Sequence, residues 1–189
     1  MEPGNGLPRP IRLTTDDPDT TVDPVRVEDV AELYATIDRN RQHLREWLPW
    51  VTAEYDIEQA RRFVADRVVE HEQRTAMMCV VRYRGEIAGA IGLHTIDALN
   101  RATSIGYWLD AAQCGRGIMT RACRAVVTCA FRDYGLHRVE IRCATGNYRS
   151  CAIPRRLGFT EEGVLRQAGF LWGRWVDLRV FSALEQEWR

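Results

Sequence analysis

Tyr107 to Ala130 reads YWLDAAQCGRGIMTRACRAVVTCA, and this stretch decides the fold. It is entered through an apolar run, Ile105-Gly106-Tyr107-Trp108-Leu109, which reads as a short strand. Asp110 to Gly115 reads as a turn. From Gly117 onward, apolar or small residues fall at Ile118, Ala122, Ala125, Val126, Cys129 and Ala130. Steps of three and four give a helix one apolar face. Gly135 follows as a C-terminal stop.

The chemistry of the stretch lies in its turn. Gly115-Arg116-Gly117 can set successive backbone N–H groups around one concave point. The first turn of a helix leaves its own N–H groups unpaired and carries partial positive charge. Together these make an anion site, and glycines let a phosphate approach the backbone closely. The alternative is a plain strand-to-helix turn. A Walker loop is excluded, because Ile118 follows Gly117 and the chain has no lysine; a dinucleotide fingerprint is excluded by Thr120 at its third glycine.

Working outward, 189 residues suit one domain with a sizeable core. Residues 1–10 read as a loose tail and 11–189 as the domain. Equal counts of 26 basic and 26 acidic residues argue against a nucleic-acid protein driven by bulk charge. No apolar run is long enough for a membrane span. The start is polar and Pro/Gly-rich, without a signal segment. Six cysteines without a Cys-x-x-Cys pair, several at apolar helix or strand positions, read as reduced core thiols in a cytoplasm, with no metal.

The remaining elements follow from periodicity. Ile11 to Thr14 is read as an opening strand and Thr15 to Asp23 as an acidic, Thr-rich loop. Pro24 to Asn40 carries a helical stripe, Val27, Val30, Leu33, Tyr34 and Ile37. Ile57 to Glu70 is a second amphipathic helix. Thr75 to Arg82 and Glu86 to Ile96 are strands joined by an Arg84-Gly85 turn. Arg101 to Leu109 feeds the central turn, and Arg138 to Cys143 alternates as a strand. A short helix runs from Asn147 toward Arg156, with Pro154 expected to kink it. Phe159 to Phe170 and Arg174 to Ala183 close the chain. Strand–helix–strand across 101–143 implies a crossover unit, and the runs before it make the α/β sheet mixed.

The central stretch resembles the acetyl-CoA loop of the GNAT acetyltransferases, and more narrowly the RimJ/RimL-type amino-terminal acetyltransferases. The resemblance rests on Gly106-Tyr107-Trp108-Leu109, Gly115-Arg116-Gly117-Ile118, Thr120 and Ala122, and on Asn147, Ser150 and Leu157-Gly158-Phe159. Cys114 stands where the family usually has Gln or Arg, and Met119 where it often has Gly or Ala. The resemblance implies a GNAT fold: a mostly antiparallel sheet in which a parallel strand pair splays apart to admit the donor's pantetheine arm. It places that gap between Trp108-Leu109-Asp110 and the strand ending near Cys143. Donor contacts are then expected from Cys114 to Thr120, from Asn147 and from Ser150. Arg155 or Arg156 is expected at the donor phosphates.

The same resemblance makes Ser150 the proton donor to the leaving thiolate. It makes Trp47 and Trp50, in Asn40 to Trp50, walls of the acceptor pocket; on physics alone they are a hydrophobic anchor. Direct attack by a neutral amine needs a proton acceptor. Gly169 stands where RimL-type enzymes carry a glutamate and cannot titrate; its missing side chain is expected to enlarge the acceptor pocket. His94, Asp177 or a water relay remain as acceptors. The expected activity is transfer of acetyl from acetyl-CoA to a protein α-amine or to a small amine. A longer acyl donor, or a catalytically idle CoA- or partner-binding module, is the competing reading. A homodimer is left open.

Overall fold

The computed structural model describes residues 13–189. The tail expected over 1–10, and Ile11 of the opening strand, lie outside the described residues. Leu13 and Thr14 are not in a strand. The first strand is β1, Thr20–Pro24, inside the segment expected as a loop. Its alternation is carried by a threonine: Thr20 and Val22 point inward, Thr21 and Asp23 outward. After it come α1 (Val30–Arg39), α2 (Arg41–Arg45) and α3 (Ile57–Glu72). Strands β2 (Met77–Tyr83), β3 (Glu86–Leu93) and β4 (Ala102–Leu109) follow, then α4 (Ile118–Arg132), β5 (Arg138–Ala144) and α5 (Tyr148–Arg156). The chain closes with β6 (Thr160–Leu171) and β7 (Arg174–Leu184).

The strands form one sheet in the order β1-β2-β3-β4-β5-β7-β6. Every neighbouring pair is antiparallel except β4 and β5, which α4 connects as a crossover. Arg84 and Gly85 join β2 to β3 with φ of 53° and 88°. Two positive φ values in a two-residue loop give the turn whose twist matches the strands.

Alternation along the strands splits the core between the two faces. On β2, Cys79 and Val81 join Ile105, Ile118, Val126, Ile141 and Phe181 under α4 and α5. Val80, between them, joins Leu33, Ile37, Val64 and Ile87 under α1 and α3. α1 is shorter than its stripe predicted, because Val27 is more than half exposed and sits in a 3-10 turn. Arg82 ties this turn and helix to the sheet, reaching Asp29 at 2.6 Å and Glu32 at 2.7 Å. All six cysteines are free, and five of them are buried.

Two features of the sheet position the site. First, the β4–β5 ladder runs from Ala102↔Arg138 to Ile105↔Ile141 and stops. β5 continues against β7 as far as Ala144↔Leu178, and β4 continues against β3 as far as Leu109↔Gly89. The facing edges of 106–109 and 142–144 therefore part. Second, the β6–β7 ladder shifts between Leu165 and Gly169. Gln167 turns there with φ 51°, and its N–H donates to Asp177 Oδ1 at 2.8 Å. Asp177, a candidate base, is thus an acceptor for a β-bulge.

Candidate active site

A cleft of about 1880 Å³ joins the start of α4, the parted strands, the Trp47–Trp50 segment and the inner side of β6–β7. The mouth of α4 is built by two left-handed glycines, Gly115 at φ 82° and Gly117 at φ 78°. Gly117 is the N-cap, and no side chain caps the helix. The first internal bond runs from Arg121 N to Gly117 O at 3.1 Å. The amides of Ile118, Met119 and Thr120 accordingly have no helical acceptor and are available to an anion. Arg121 adds charge at the mouth: its Nη1 lies 2.9 Å from Arg116 O, and Asp16 and Asp17 balance it at 3.4 and 3.7 Å.

The expected donor residues divide. Trp108, Leu109, Cys114, Gly115, Gly117, Ile118, Met119, Thr120, Asn147 and Ser150 line the cleft. Asp110 does not. It is buried, accepts Ala112 N at 2.8 Å and pairs with Arg39 at 3.0 Å, so it fixes the turn instead. Arg116 lies against the Tyr83 ring, 5.9 Å from its centre. Arg155 also turns away, pairing with Glu161 at 3.0 Å over the Phe181 ring. Arg156 is the arginine that reaches the cleft, with Nη1 2.8 Å from Thr120 Oγ1. One step along a helix turns a side chain about 100°, and that step separates the two.

Ser150 sits where the strands part. Asn147 caps α5, its Oδ1 accepting Ser150 N at 3.1 Å. Ser150 Oγ donates toward Tyr107 Oη and Cys143 Sγ, each at 3.2 Å. Burial pushes the Cys143 thiol up to about 12 and the Tyr107 phenol well above its usual value. Both stay protonated at neutral pH, so Cys143 is no thiolate nucleophile. Pro154 falls in the last turn of α5 and does not break the helix.

His94 also lines the cleft, and its Nδ1 lies 2.9 Å from Ser104 Oγ. Its ring covers Gly106: a Cβ there would meet Nε2 at 2.6 Å. The imidazole is open to the cleft yet walled by protein. Desolvation, and then Arg67, lower its pKa below 6.5, leaving it neutral and able to take a proton.

Trp47 and Trp50 both line the cleft. Trp47 packs over the backbone of Gly146, and Trp50 meets Tyr55 edge-on at 5.4 Å between ring centres. Gly169 lines the cleft. A Cβ there would lie 3.0 Å from Val176 Cγ2 and 3.1 Å from Leu178 Cδ2, so a side chain at this position needs those two to give way by a few tenths of an ångström. Trp172 was not singled out from sequence. At the β6–β7 tip its Nε1 donates to Arg45 O, and the Arg45 guanidinium lies 4.5 Å from its ring centre, so the hairpin closes on α2.

A sheet parted beside an uncapped helix mouth, with a hydroxyl at the fork, is a site that can hold an anionic ligand with an extended arm. The chain belongs to the GNAT acetyltransferases: the Acetyltransferase (GNAT) domain family matches residues 20–160. It is 36% identical over 168 residues to the putative ribosomal N-acetyltransferase YdaF of Bacillus subtilis, covering 88% of this chain and 90% of that one. RimL, a ribosomal L7/L12 α-N-protein acetyltransferase solved with coenzyme A, superposes with a TM-score of 0.86 at 28% identity, covering 92% of this chain and 97% of that one. The microcin C7 self-immunity acetyltransferase MccE, solved with acetyl-CoA and AMP, gives 0.84 at 29% identity, with 89% and 93% covered. This protein is a CoA-dependent N-acetyltransferase, passing acetyl from acetyl-CoA to an amine. The fold is the GNAT fold. Among the described residues, no helix is long and apolar enough to cross a membrane, and no cluster of metal-binding side chains occurs.

Proposed function

We propose that the acceptor is the α-amine of a polypeptide N-terminus. The observation that carries this reading is the continuity of one cleft, from the mouth of α4 through the parted strands to a wall of Trp47, Trp50, Leu171 and Val176. The likeness to YdaF and RimL supports it. In this reading the amides from Gly117 to Thr120 hold the donor pyrophosphate, with Arg156 beside them. The parted edge of Tyr107 to Leu109 takes the pantetheine arm, together with Asn147. The acceptor enters past the tryptophans.

His94 takes the proton that the amine must lose, and α-amines need little help, having a pKa near 8. The amine attacks the thioester carbonyl directly. Ser150 gives its proton to the departing thiolate. No covalent enzyme intermediate forms.

The test is acetyl-CoA with Ala- and Ser-initiated peptides, spermidine and free amino acids, each read by mass shift. Acetylation confined to peptide α-amines supports the reading. Turnover of the small amines alone overturns it.

The His94 role predicts a pH profile. A base with a lowered pKa is competent above that pKa and lost below it. At saturating amine and donor, kcat against pH should therefore hold through neutrality and fall only below pH 6.5. His94→Gln should lower kcat by about 10²-fold and remove that limb. An unchanged acid limb in the variant would assign the proton to another group.

A further inference from the structure

The transfer as described uses the Tyr107 backbone and gives its side chain no task, yet the phenol lies inside the fork. Its O–H donates to the backbone carbonyl of Ser150 at 3.0 Å. That carbonyl is open for a reason written in the sequence. The residue four places on is Pro154, which has no N–H to offer it, so the helix leaves the oxygen without its usual partner. A side chain from β4 fills the vacancy. The same phenol oxygen accepts the Ser150 hydroxyl at 3.2 Å, and the other acceptor recorded for that hydroxyl is Cys143 Sγ at 3.2 Å.

An aliphatic hydroxyl is a weak acid. It gives up a proton more readily when its oxygen receives a hydrogen bond as charge builds on it. Tyr107 is placed to supply one, since Ser150 O and Ser150 Oγ both lie within its reach. We propose that Tyr107 is a positioning residue for the transfer, acting through Ser150: at rest its oxygen holds the serine hydrogen, and as that hydrogen turns to the leaving sulfur, the phenol O–H swings from the Ser150 carbonyl to the serine oxygen.

The inference rests on Ser150 being the proton donor. The step balances as follows. The C–S bond of the tetrahedral adduct breaks and its electron pair goes to sulfur. The Ser150 proton moves onto that sulfur and gives free thiol. The serine oxygen is reprotonated, through water, by the proton the amine gave up. Tyr107 keeps its own proton throughout, as its buried setting favours.

The experiment compares Tyr107→Phe, Ser150→Ala, the double variant, and Tyr107→Phe combined with Pro154→Ala. Thiol release is followed with the fastest amine of the panel above, and each variant's thermal midpoint is recorded. Tyr107→Phe should lower kcat about tenfold or more and leave KM for acetyl-CoA within about twofold. On the Ser150→Ala background the Tyr107 change should cost nothing further. Pro154→Ala supplies an N–H to the orphaned carbonyl. It should restore the thermal midpoint of Tyr107→Phe without restoring kcat.

Recovery of kcat with Pro154→Ala would mean that Tyr107 only fills the carbonyl, and would overturn the inference. So would a full Tyr107 effect on the Ser150→Ala background. A slow Ser150→Ala beside an unaffected Tyr107→Phe sinks this inference alone. An unaffected Ser150→Ala sinks the reading of Ser150, and this inference with it.

Discussion

Gly117→Val is expected to raise the dissociation constant for coenzyme A by about 10²-fold or more, roughly 2.7 kcal/mol. Two causes combine. Gly117 has φ 78°, a region that costs a residue with a Cβ about 1–2 kcal/mol and a β-branched one more. The added branch also stands at the helix mouth, where the phosphates must come close to the backbone. The new Cβ meets only the tip of Arg121, at 2.8 Å, which can swing aside. The barrier is therefore to the ligand and to the turn, not to packing. Gly135→Val is the matched control. Its φ is 64°, it lies past the far end of α4, and nothing stands within 4 Å of its added Cβ. Both variants should lose thermal stability, but only Gly117→Val should lose donor affinity by calorimetric titration. Wild-type affinity in Gly117→Val would place the phosphates elsewhere.

Phe181→Ala carries the second large effect, on stability. Phe181 heads the fully buried side chains at 0% exposure. It faces Ile141 and Glu161 across its two neighbouring strands and lies beneath the guanidinium of Arg155. Truncating a buried phenylalanine costs about 3–5 kcal/mol, from lost transfer energy and the cavity left behind. At this chain length each kcal/mol moves the midpoint by about 2–4 °C, so a drop of roughly 10 °C is expected. Leu99→Ala, at a side chain 92% exposed, should stay within about 0.5 kcal/mol of wild type. Equal losses in both variants would show that the core is not centred on Phe181.

These predictions differ in how far sequence alone could have reached them. The helix mouth was legible because its chemistry is local: glycine conformation and unpaired amides need no distant partner. The strand pattern was legible for the same reason, except at β1. There a buried threonine takes an apolar position, and Asp23 beside it reads as loop. What sequence could not reach depends on where elements meet. Arg155 and Arg156 are neighbours with opposite fates, decided by the phase of α5 against β6 and β7. Gly169 reads as a missing side chain, and only the structure shows Val176 and Leu178 standing close beside it from the next strand. Tyr107 and Ser150 are 43 residues apart, and nothing in either segment announces the other. Pro154 was visible, yet its effect on the Ser150 carbonyl requires a phenol on a different strand.

The halves of the sheet are joined through only four residue pairs, Ala102↔Arg138 to Ile105↔Ile141. Beyond them the backbone is an unfinished zip. In the reading proposed above, the pantetheine arm threaded there bonds to both lips, and coenzyme A is then a removable rung as well as a carrier of acetyl. Deuterium uptake by the amides of 106–109 and 142–144 should slow when coenzyme A binds, while uptake in β1 and β2 stays as it was. Equal uptake with and without coenzyme A would mean that the arm does not bridge the two strands.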